Sequence, residues 1–348
     1  MHEIIIKNIL VRDAIKQLDA SGKRILFVTD ENERIVGSIS DGDVRRWILK
    51  NGNFNDKVEN MMNKNPVVLN VDLKTKAQEV MKKNIIEALP LVDNENRIVD
   101  IIFINEFFYK DVSFSHNIST PVIIMAGGKG TRLYPYTKIL PKPLIPVGDV
   151  SISERILERF CRFGFKDFYF TVNYKKNMIK AYFDELDKNY EIRFIEEEKF
   201  LGTAGSLYLL KEKINETFIV TNCDILVEAN YIDILKYHKK NGNKITMVTS
   251  LKNYTIPYGV IKLNDYGEVI ETEEKPEYSH LVNAGFYILE PEVLKDIPDK
   301  TFFHITDLIN NYLKDGKKVG TYPITENSWL DMGEFKEMER MREKLNVE

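Results

Sequence analysis

The sequence predicts two domains, a smaller α+β domain made of two copies of one unit and a larger α/β domain with a mixed sheet. Its 348 residues are too many for one comfortable core and enough for two domains that each bury most of their apolar surface. The first part of the chain repeats itself. From about residue 121, apolar extended runs alternate with helical ones, which is typical of a layered α/β domain.

Composition and charge exclude several classes of protein. The formal net charge is -4 at pH 7, so the chain lacks the basic surface with which proteins displace counterions from nucleic acid. The sequence contains neither an apolar run of about 18 residues nor a signal-peptide pattern. We therefore expect a cytoplasmic protein with no membrane or nucleic-acid partner. Cys161 and Cys223 cannot form a disulfide framework.

The internal repeat is local but specific. Residues 26–36 align with residues 89–99, and five positions are identical between the two stretches: Leu26 and Leu89, Asp30 and Asp93, Arg34 and Arg97, Ile35 and Ile98, Val36 and Val99. In the first copy the pattern predicts a helix, a strand, a turn, a strand and a second helix at residues 11–20, 25–29, 30–33, 34–40 and 43–49. Two copies of one supersecondary unit are therefore predicted.

This order of elements, with the segment 37–43 closing its second strand, resembles the CBS module, and two such modules normally pack as a pair. The resemblance implies a tandem CBS domain at residues 1–115, for regulation or for dimerisation into a homo-oligomer. In that family an S/T-x-x-D pattern can hold the phosphate and ribose of a regulatory nucleotide, here Ser40 and Asp43. Phe103 and Glu106 replace these residues in the second copy, so we expect that site to be degraded.

Ser40 and Asp43 also have a purely structural interpretation. A serine directly before a helix caps its free N–H groups, and an aspartate in the first turn interacts favourably with the positive end of the helix. Residues 111–120 lack periodicity and are predicted to be the linker between the domains.

A glycine-rich loop follows the first strand pattern of the larger domain. Residues 122–125 lead into Gly127-Gly128-Lys129-Gly130-Thr131-Arg132-Leu133. Glycines let backbone N–H groups approach phosphate oxygens, and Lys129 and Arg132 add positive charge. The spacing fits neither a Walker motif nor a dinucleotide fingerprint. Residues 134–137 and 141–143 are expected to keep the chain extended. Further strands are predicted at residues 168–172, 192–195, 218–221, 245–249 and 282–289.

G-G-x-G-T-R-L followed by P-K-P at residues 141–143 resembles the signature of the nucleotidyltransferases that make nucleoside-diphosphate sugars. The resemblance implies a Rossmann-like mixed-sheet catalytic domain at residues 120–348. It also implies that Arg132 holds the leaving pyrophosphate and that Lys142 contacts the α-phosphate or the sugar phosphate. The residues implied to bind the nucleotide are Gly127, Gly128, Gly130, Thr131, Gly202 and Thr203. Thr203 could instead, or in addition, cap a helix N-terminus.

Two aspartates follow apolar strand patterns at family-like positions. Asp224 comes after residues 218–221, and Asp331 lies in the W-x-D-x-G segment 329–333. By resemblance they hold Mg²⁺, which prefers oxygen ligands and is usually bound by one or two carboxylates plus substrate phosphates. The resemblance also implies that Lys275 contacts the sugar phosphate and that Gly259, Glu274 and Asn283 meet sugar hydroxyls.

The implied reaction is attack by a phosphate oxygen of a sugar 1-phosphate on the α-phosphorus of a nucleoside triphosphate, with release of pyrophosphate. The loop at 125–130 and the triple glutamate at 196–198 resemble those of guanylyltransferases, so GTP ranks before UTP, dTTP and CTP. The CBS pair ahead of the transferase is similar to the layout of guanylyltransferases of bacterial surface-glycan pathways, including those for glucosamine 1-phosphate in legionaminic acid synthesis. An alternative of another class is a non-catalytic regulatory subunit that only binds nucleotides.

Overall fold

The computed structural model describes residues 3–84, 86–103, 118–345 and 347 of the chain. It divides into two compact units, Met1–Val112 and Ser113–Glu348. Glu106 and most of the predicted linker, residues 111–117, lie outside the described residues. Among the described residues, no helix is both long and apolar enough to cross a membrane.

The smaller unit begins with the predicted repeat. Its first copy consists of β1 (Ile4–Ile6), α1 (Val11–Ser21), β2 (Ile25–Thr29), β3 (Ile35–Ser40) and α2 (Asp41–Leu49). The second copy contains β4 (Leu69–Asn70), α3 (Ala77–Asn84), β5 (Ala88–Val92) and β6 (Ile98–Phe103). In each copy the first strand pairs parallel with the second, and the second pairs antiparallel with the third. The predicted repeat is therefore confirmed, although α2 begins two residues earlier than expected.

The residues that recur between the copies build the same turn twice. Asp30 Oδ1 accepts hydrogen bonds from the Asn32 and Arg34 amides, each at 2.9 Å. Asp93 Oδ1 accepts equivalent bonds of 2.9 Å from residues 95 and 97. An aspartate that binds the backbone two residues further on is a common way to fix a tight turn. This explains why the repeat is strongest at the turn between its two paired strands.

The two copies share one apolar core. Phe27 and Ile35 from the first copy pack in one cluster with Ala88, Val92 and Ile101 from the second. The Ile35 amide also donates to the carbonyl oxygen of residue 96 at 2.9 Å. Neither three-stranded sheet would bury its apolar face alone, so the copies stabilise each other.

The larger unit contains the remaining elements. Its first half consists of β7 (Val122–Ala126), α4 (Tyr136–Ile139), β8 (Pro146–Val147), β9 (Val150–Ser151), α5 (Ile152–Arg162), β10 (Asp167–Val172), α6 (Lys176–Asp184), β11 (Glu191–Glu196) and α7 (Gly202–Gly205). Its second half consists of β12 (Phe218–Asn222), β13 (Ile225–Val227), α8 (Tyr231–Asn241), β14 (Ile245–Thr255), β15 (Val260–Leu263), β16 (Val269–Glu273), β17 (Glu277–Leu289), α9 (Ile305–Lys314), β18 (Val319–Ile324), β19 (Trp329–Asp331) and α10 (Phe335–Leu345).

A seven-stranded mixed sheet lies at the centre of this unit, in the order β11-β10-β7-β12-β17-β14-β18. Strand β17 runs antiparallel to β12 and β14, and the other neighbouring strands pair parallel. Alternate residues of β7 enter different cores, with Val122 and Ile124 on one face and Ile123 on the other. Strands covered on both faces consist of consecutive apolar residues. The strands of this sheet could therefore be predicted from the sequence. The predicted mixed sheet is confirmed.

The parallel strands β7, β10, β11 and β12 end at one edge of the sheet. In open α/β sheets, ligands bind outside the carboxyl ends of such strands. The segments that follow β7, β11 and β12 contain the glycine-rich loop, the 202–203 segment and Asp224, respectively. The fold therefore brings these sequence motifs to the same edge.

The expectation that residues 134–137 and 141–143 stay extended is wrong. Helical turns form at Thr131–Leu133, Tyr136–Ile139 and Lys142–Leu144. The Leu133 amide donates to the Gly130 carbonyl at 3.0 Å, and the Leu144 amide donates to the Pro141 carbonyl at 2.9 Å. Pro143 occupies the start of its turn, where a helical N–H has no intrahelical partner, so proline is tolerated there.

Candidate active site

A cleft of about 290 Å³ lies at the carboxyl edge of the sheet. It brings together most of the residues that the sequence assigned to nucleotide binding and catalysis. These lining residues are Gly127, Gly128, Gly130, Thr131, Arg132, Lys142, Gly202, Thr203 and Asp224. They come from segments up to about a hundred residues apart in the chain, so their convergence is a property of the fold.

Each of the three glycine positions in the loop has a different structural environment. A Cβ on Gly127 would lie 2.4 Å from Glu197 Oε1, and one on Gly130 would lie 2.8 Å from Thr137 Cγ2. Gly130 also has a φ of 65°, in the left-handed region that favours glycine. Around Gly128 no atom lies within 4 Å of such a Cβ. Gly130 is therefore required by packing and by its backbone conformation. A Cβ at Gly127 would displace the Glu197 carboxylate, and only Gly128 has open space beside it for an approaching ligand.

Lys142 and Asp224 form an ion pair in the cleft. The Lys142 ammonium contacts Asp224 Oδ2, and both side chains are largely buried. The turn 142–144 positions the lysine, and Asp224 lies between β12 and β13. Buried charges attract each other more strongly than surface charges because water screens them less. The pair therefore places one positive and one negative charge firmly at the edge of the sheet.

Asp331 lies beside Asp224 through strand pairing. Strand β19 pairs antiparallel with β13, and Ile225 stands opposite Asp331. The Met332 amide donates to the Asp224 carbonyl at 2.8 Å. Burial, followed by the negative charge of Asp224, raises the pKa of Asp331 to about 6. The two carboxylates are thus held close enough to repel each other.

Arg132 meets Asp331 at the rim of the cleft. A Cβ on Gly333 would lie 3.0 Å from Asp331 Oδ1 and 3.2 Å from Arg132 Nη1. Gly333 lines the cleft, whereas Asp331 is not among its lining residues. A small residue at 333 therefore leaves room for the guanidinium and the carboxylate on either side of it.

The two carboxylates fit a magnesium ion. Asp331 Oδ1 is buried and has no hydrogen-bond partner among the described residues, and an unpaired buried carboxylate oxygen is costly unless a cation satisfies it. Over the described parts of the chain, no group of three or more His, Cys, Asp or Glu residues is placed to hold a metal. Asp224 and Asp331 would therefore hold the ion, with water and substrate phosphates as its other ligands. Such an ion would neutralise phosphate oxygens.

Glu197 is a cleft residue that the sequence alone did not identify. It follows β11, is only 3% exposed, and lines the cleft. Its Oε2 accepts a hydrogen bond of 3.0 Å from the Leu201 amide, and burial raises the pKa of its carboxyl. Its neighbour Glu196 instead pairs with lysines on α6. The available signal was position: Glu197 directly follows a strand that ends at the ligand edge.

Two family models match the chain. The model described as nucleotidyl transferase covers residues 121–347, and the CBS domain model covers residues 7–50. The chain belongs to the nucleotidyl transferase family.

Curated relatives match the transferase domain. The mannose-1-phosphate guanylyltransferase catalytic subunit beta of Dictyostelium discoideum is 29% identical over 62% of this chain and 61% of its own length. The mannose-1-phosphate guanyltransferase of Aspergillus fumigatus is 32% identical over 62% of this chain and 61% of its own. The bifunctional protein GlmU of Methanococcus maripaludis is 34% identical over 61% of this chain and 51% of its own. The chain thus spans between half and two thirds of the length of these relatives.

A solved structure supports the fold. HddC from Yersinia pseudotuberculosis matches with a TM-score of 0.52 at 23% identity, over 65% of this chain and 99% of that one. The same protein complexed with GMP-PN matches with a TM-score of 0.51 at 22% identity, over 65% of this chain and 99% of that one.

In the transferase domain, Thr203 does not cap α7, the helix in which it lies. The four-residue helix α7 has Leu201 at its N-cap position, and Thr203 Oγ1 instead accepts a hydrogen bond of 3.0 Å from the Ile305 amide. The expectation that Thr203 caps the helix of its own segment is therefore wrong, because the hydroxyl instead satisfies a free amide at the N-terminus of α9 and joins the loop to that helix. Gly202 has a φ of 82°.

The four sugar-side residues of the transferase domain lie outside the lining of the cleft, although all are among the residues described. Glu274 and Gly259 are neighbours, since a Cβ on Gly259 would lie 3.1 Å from Glu274 Oε2. Lys275 adopts a left-handed φ of 48°. Asn283 donates to the Tyr287 hydroxyl at 2.7 Å. Their assignment to the sugar stays a prediction.

In the CBS domain, Ser40 and Asp43 interact with each other at the start of α2. The Ser40 amide and hydroxyl donate to Asp43 Oδ2 at 2.8 and 2.6 Å. Asp43 Oδ1 also accepts from Arg46 Nη2 at 2.5 Å. This geometry agrees with the structural interpretation, in which the two residues fix the helix N-terminus. Nucleotide binding at Ser40 and Asp43 stays a prediction, as does a degraded second site, since Phe103 is described but Glu106 is not.

Proposed function

We propose that the protein transfers a nucleoside monophosphate to the phosphate of a sugar 1-phosphate and releases pyrophosphate. GTP is the first candidate for the nucleotide donor, so that the transferred group is GMP. The observation that carries this proposal is the composition of the cleft. A glycine-rich loop, Arg132 and Lys142 lie together with the carboxylates of Asp224 and Asp331 at one edge of the sheet. Phosphoryl-type transfers depend on such positioning and charge neutralisation.

The cleft favours direct transfer without a covalent intermediate. Cys223 is the thiol that lines it, and burial raises the pKa of this thiol to about 12. The thiol is therefore protonated at neutral pH and is a poor nucleophile. Arg132 and Lys142 supply positive charge for the phosphates, and the carboxylates would hold Mg²⁺. The sugar phosphate, already anionic, then attacks the α-phosphorus directly and displaces pyrophosphate.

Glu197 supports guanine as the base. A carboxylate accepts hydrogen bonds, and guanine presents two neighbouring donors, N1–H and the 2-amino group. Uracil and thymine present a single N–H between two carbonyl acceptors, which a carboxylate repels. The curated relatives include mannose-1-phosphate guanylyltransferases, which agrees with this preference.

Glu197→Gln tests the base assignment. The amide keeps the size of the side chain but replaces one acceptor with a donor, so we expect kcat/KM for GTP to fall about tenfold or more and that for UTP to rise. Asp149→Asn, at an exposed carboxylate, is the matched control. Unchanged discrimination between GTP and UTP would exclude Glu197 as the residue that reads the base.

The proposed sugar and pathway rest on the sequence resemblance and on the names of the relatives. We retain glucosamine 1-phosphate as the first candidate, in surface-glycan synthesis, and add mannose 1-phosphate from the names of the relatives. We also retain the proposals that residues 1–115 bind a regulatory nucleotide or form a homo-oligomer.

A substrate matrix tests the function. Four nucleoside triphosphates are combined with glucosamine, mannose and glucose 1-phosphates in the presence of Mg²⁺, and pyrophosphate release is measured. We expect the highest rate with GTP and one of the hexose 1-phosphates. Binding of nucleotide without turnover for any pair would instead support a non-catalytic regulatory subunit.

A further inference from the structure

Two large aromatic side chains are exposed at the mouth of the cleft. Phe200 lines the cleft and keeps 45% of its surface exposed, while Phe302 keeps 55%. Their ring centroids lie 5.9 Å apart, with 61° between the ring planes. Phe302 also contacts the ring of His304 edge-on at 4.7 Å. Exposed aromatic surface beside a concave polar site is well suited to cover a flat ligand group.

The backbone holds this aromatic pair against the nucleotide loop. The Phe303 amide donates to the Leu201 carbonyl at 2.9 Å, and the Phe303 carbonyl accepts from the amides of Ala204 and Gly205, each at 3.0 Å. The segment 301–305 therefore cannot move away from the loop without breaking these bonds. Phe302 is thereby held against Phe200, and Phe200 lines the cleft.

Glu197 and Lys142 lie beside different glycines of the loop. A Cβ on Gly127 would meet Glu197, whereas one on Gly130 would meet Lys142 at 3.1 Å. Glu197 is thus near the first glycine of the loop and the stem of Lys142 is near the last. Phe200 follows Glu197 by three residues in the chain and lines the same cleft. A nucleotide whose phosphates reach Lys142 would place its base near Glu197 and Phe200.

We propose that the base of the bound nucleotide stacks on Phe200, and that Phe302 positions the Phe200 ring through its edge-on contact. This inference rests on the proposed nucleotidyl transfer. Every base has a face that can stack, but a purine covers more of the phenyl ring than a pyrimidine. Phe200 therefore selects purine nucleotides by contact area, and Glu197 selects guanine from adenine by hydrogen bonding, since the equivalent edge of adenine presents an acceptor at N1.

Phe200→Ala in the full chain tests the stacking directly. Nucleotide affinity is measured by isothermal titration calorimetry, with GTP and UTP titrated separately. Removing a stacked aromatic side chain lowers affinity about tenfold or more, so we expect the Kd for GTP to rise by that factor and the Kd for UTP to rise less. In turnover assays KM for GTP rises, while kcat at saturating GTP stays within about twofold.

Conservative and distant variants serve as controls. Phe200→Tyr keeps the ring and is expected to retain the affinity for GTP. Phe302→Ala should raise the Kd for GTP by a smaller factor, and Phe302→Tyr, which keeps the ring, should have the Kd of the wild type. Tyr266→Ala removes a 90% exposed aromatic side chain between β15 and β16, and it should leave all Kd values unchanged. Far-UV circular dichroism verifies that each variant is folded.

Three outcomes would overturn the inference: an unchanged Kd for GTP in Phe200→Ala, equal losses for GTP and UTP, or a loss of kcat without a rise in KM. Failure of the proposed function is distinguishable from these. It would appear as absence of turnover by the wild-type chain with every substrate pair, whereas the calorimetric comparison decides the stacking without any sugar phosphate.

Discussion

The charge balance of the cleft is set by three side chains. Asp224 is buried and Asp331 is half-buried with its Oδ1 atom buried, and the ammonium group of Lys142 contacts Asp224. Lys142 therefore occupies the same carboxylate that a metal ion would need. Two cations cannot share one carboxylate oxygen without repulsion, which for a singly and a doubly charged ion in a partly buried site amounts to about 8 kcal/mol at 4 Å.

Lys142→Met should increase the affinity of the protein for a divalent cation. With the ammonium group removed, we expect Mn²⁺ to bind about tenfold or more tightly to the chain without nucleotide, as measured from the electron paramagnetic resonance signal of free Mn²⁺. Lys142→Arg keeps the charge and should bind Mn²⁺ weakly, and Lys138→Met, at an exposed position, should behave as wild type. Equal affinities in Lys142→Met and wild type would contradict the competition.

Gly127 and Gly128 offer a matched comparison in one loop. Gly127→Ala places a methyl group against Glu197 and should cost about 1–3 kcal/mol in the free energy of unfolding, because the buried carboxylate must move. Gly128→Ala has open space and should leave that free energy nearly unchanged. Chemical denaturation of the two variants measures the difference. The structural explanation of Gly127 fails if both variants are equally stable.

Sequence reasoning located the cleft residues that belong to long motifs. Arg132, Lys142 and Asp224 could be predicted because each lies in a segment with fixed spacing or directly after a strand pattern. Glu197 could not be singled out, because three consecutive glutamates are equivalent until the fold buries the middle one. The hydrogen bond between Thr203 and Ile305 also could not be predicted from the sequence, since the two residues are distant in the chain.

At the scale of elements, short helical turns position the cationic residues. The turns at 131–133 and 142–144 each include one cationic cleft residue, Arg132 or Lys142. For residues 134–137 and 141–143 the sequence predicted extended chain because of Pro135, Pro141 and Pro143. Proline is, however, compatible with the first position of a helical turn. Hydrogen bonds from the Leu133 and Leu144 amides to the carbonyls of Gly130 and Pro141 close the two turns.

The start of α2 provides a test of the two interpretations of Ser40. If Ser40 fixes the helix, Ser40→Ala should lower the stability of α2 by about 1 kcal/mol, which is about a fivefold loss of amide protection. Hydrogen–deuterium exchange of residues 41–49 measures it. Asn230→Ala, which removes the cap of α8, should produce a similar loss confined to α8. Unchanged exchange in α2 would favour a ligand-binding role for Ser40.

At the scale of the whole chain, local patterns predicted both architectures. The repeat was visible because each copy needs the same Asp-centred turn, and the central sheet was visible because strands buried on both faces are continuous apolar runs. The proximity of Asp224 and Asp331 was not visible from periodicity. It depends on the pairing of β13 with β19, and only the resemblance to a family linked these distant segments beforehand.

The central claim is that Arg132 and Lys142 act on a triphosphate held against the carboxylate pair of Asp224 and Asp331. The most direct test is the rate of pyrophosphate release by Asp224→Asn compared with wild type, using the best substrate pair at saturating Mg²⁺. We expect a fall of about a hundredfold or more with an unchanged circular dichroism spectrum. A folded Asp224→Asn variant with a rate close to that of wild type would contradict it.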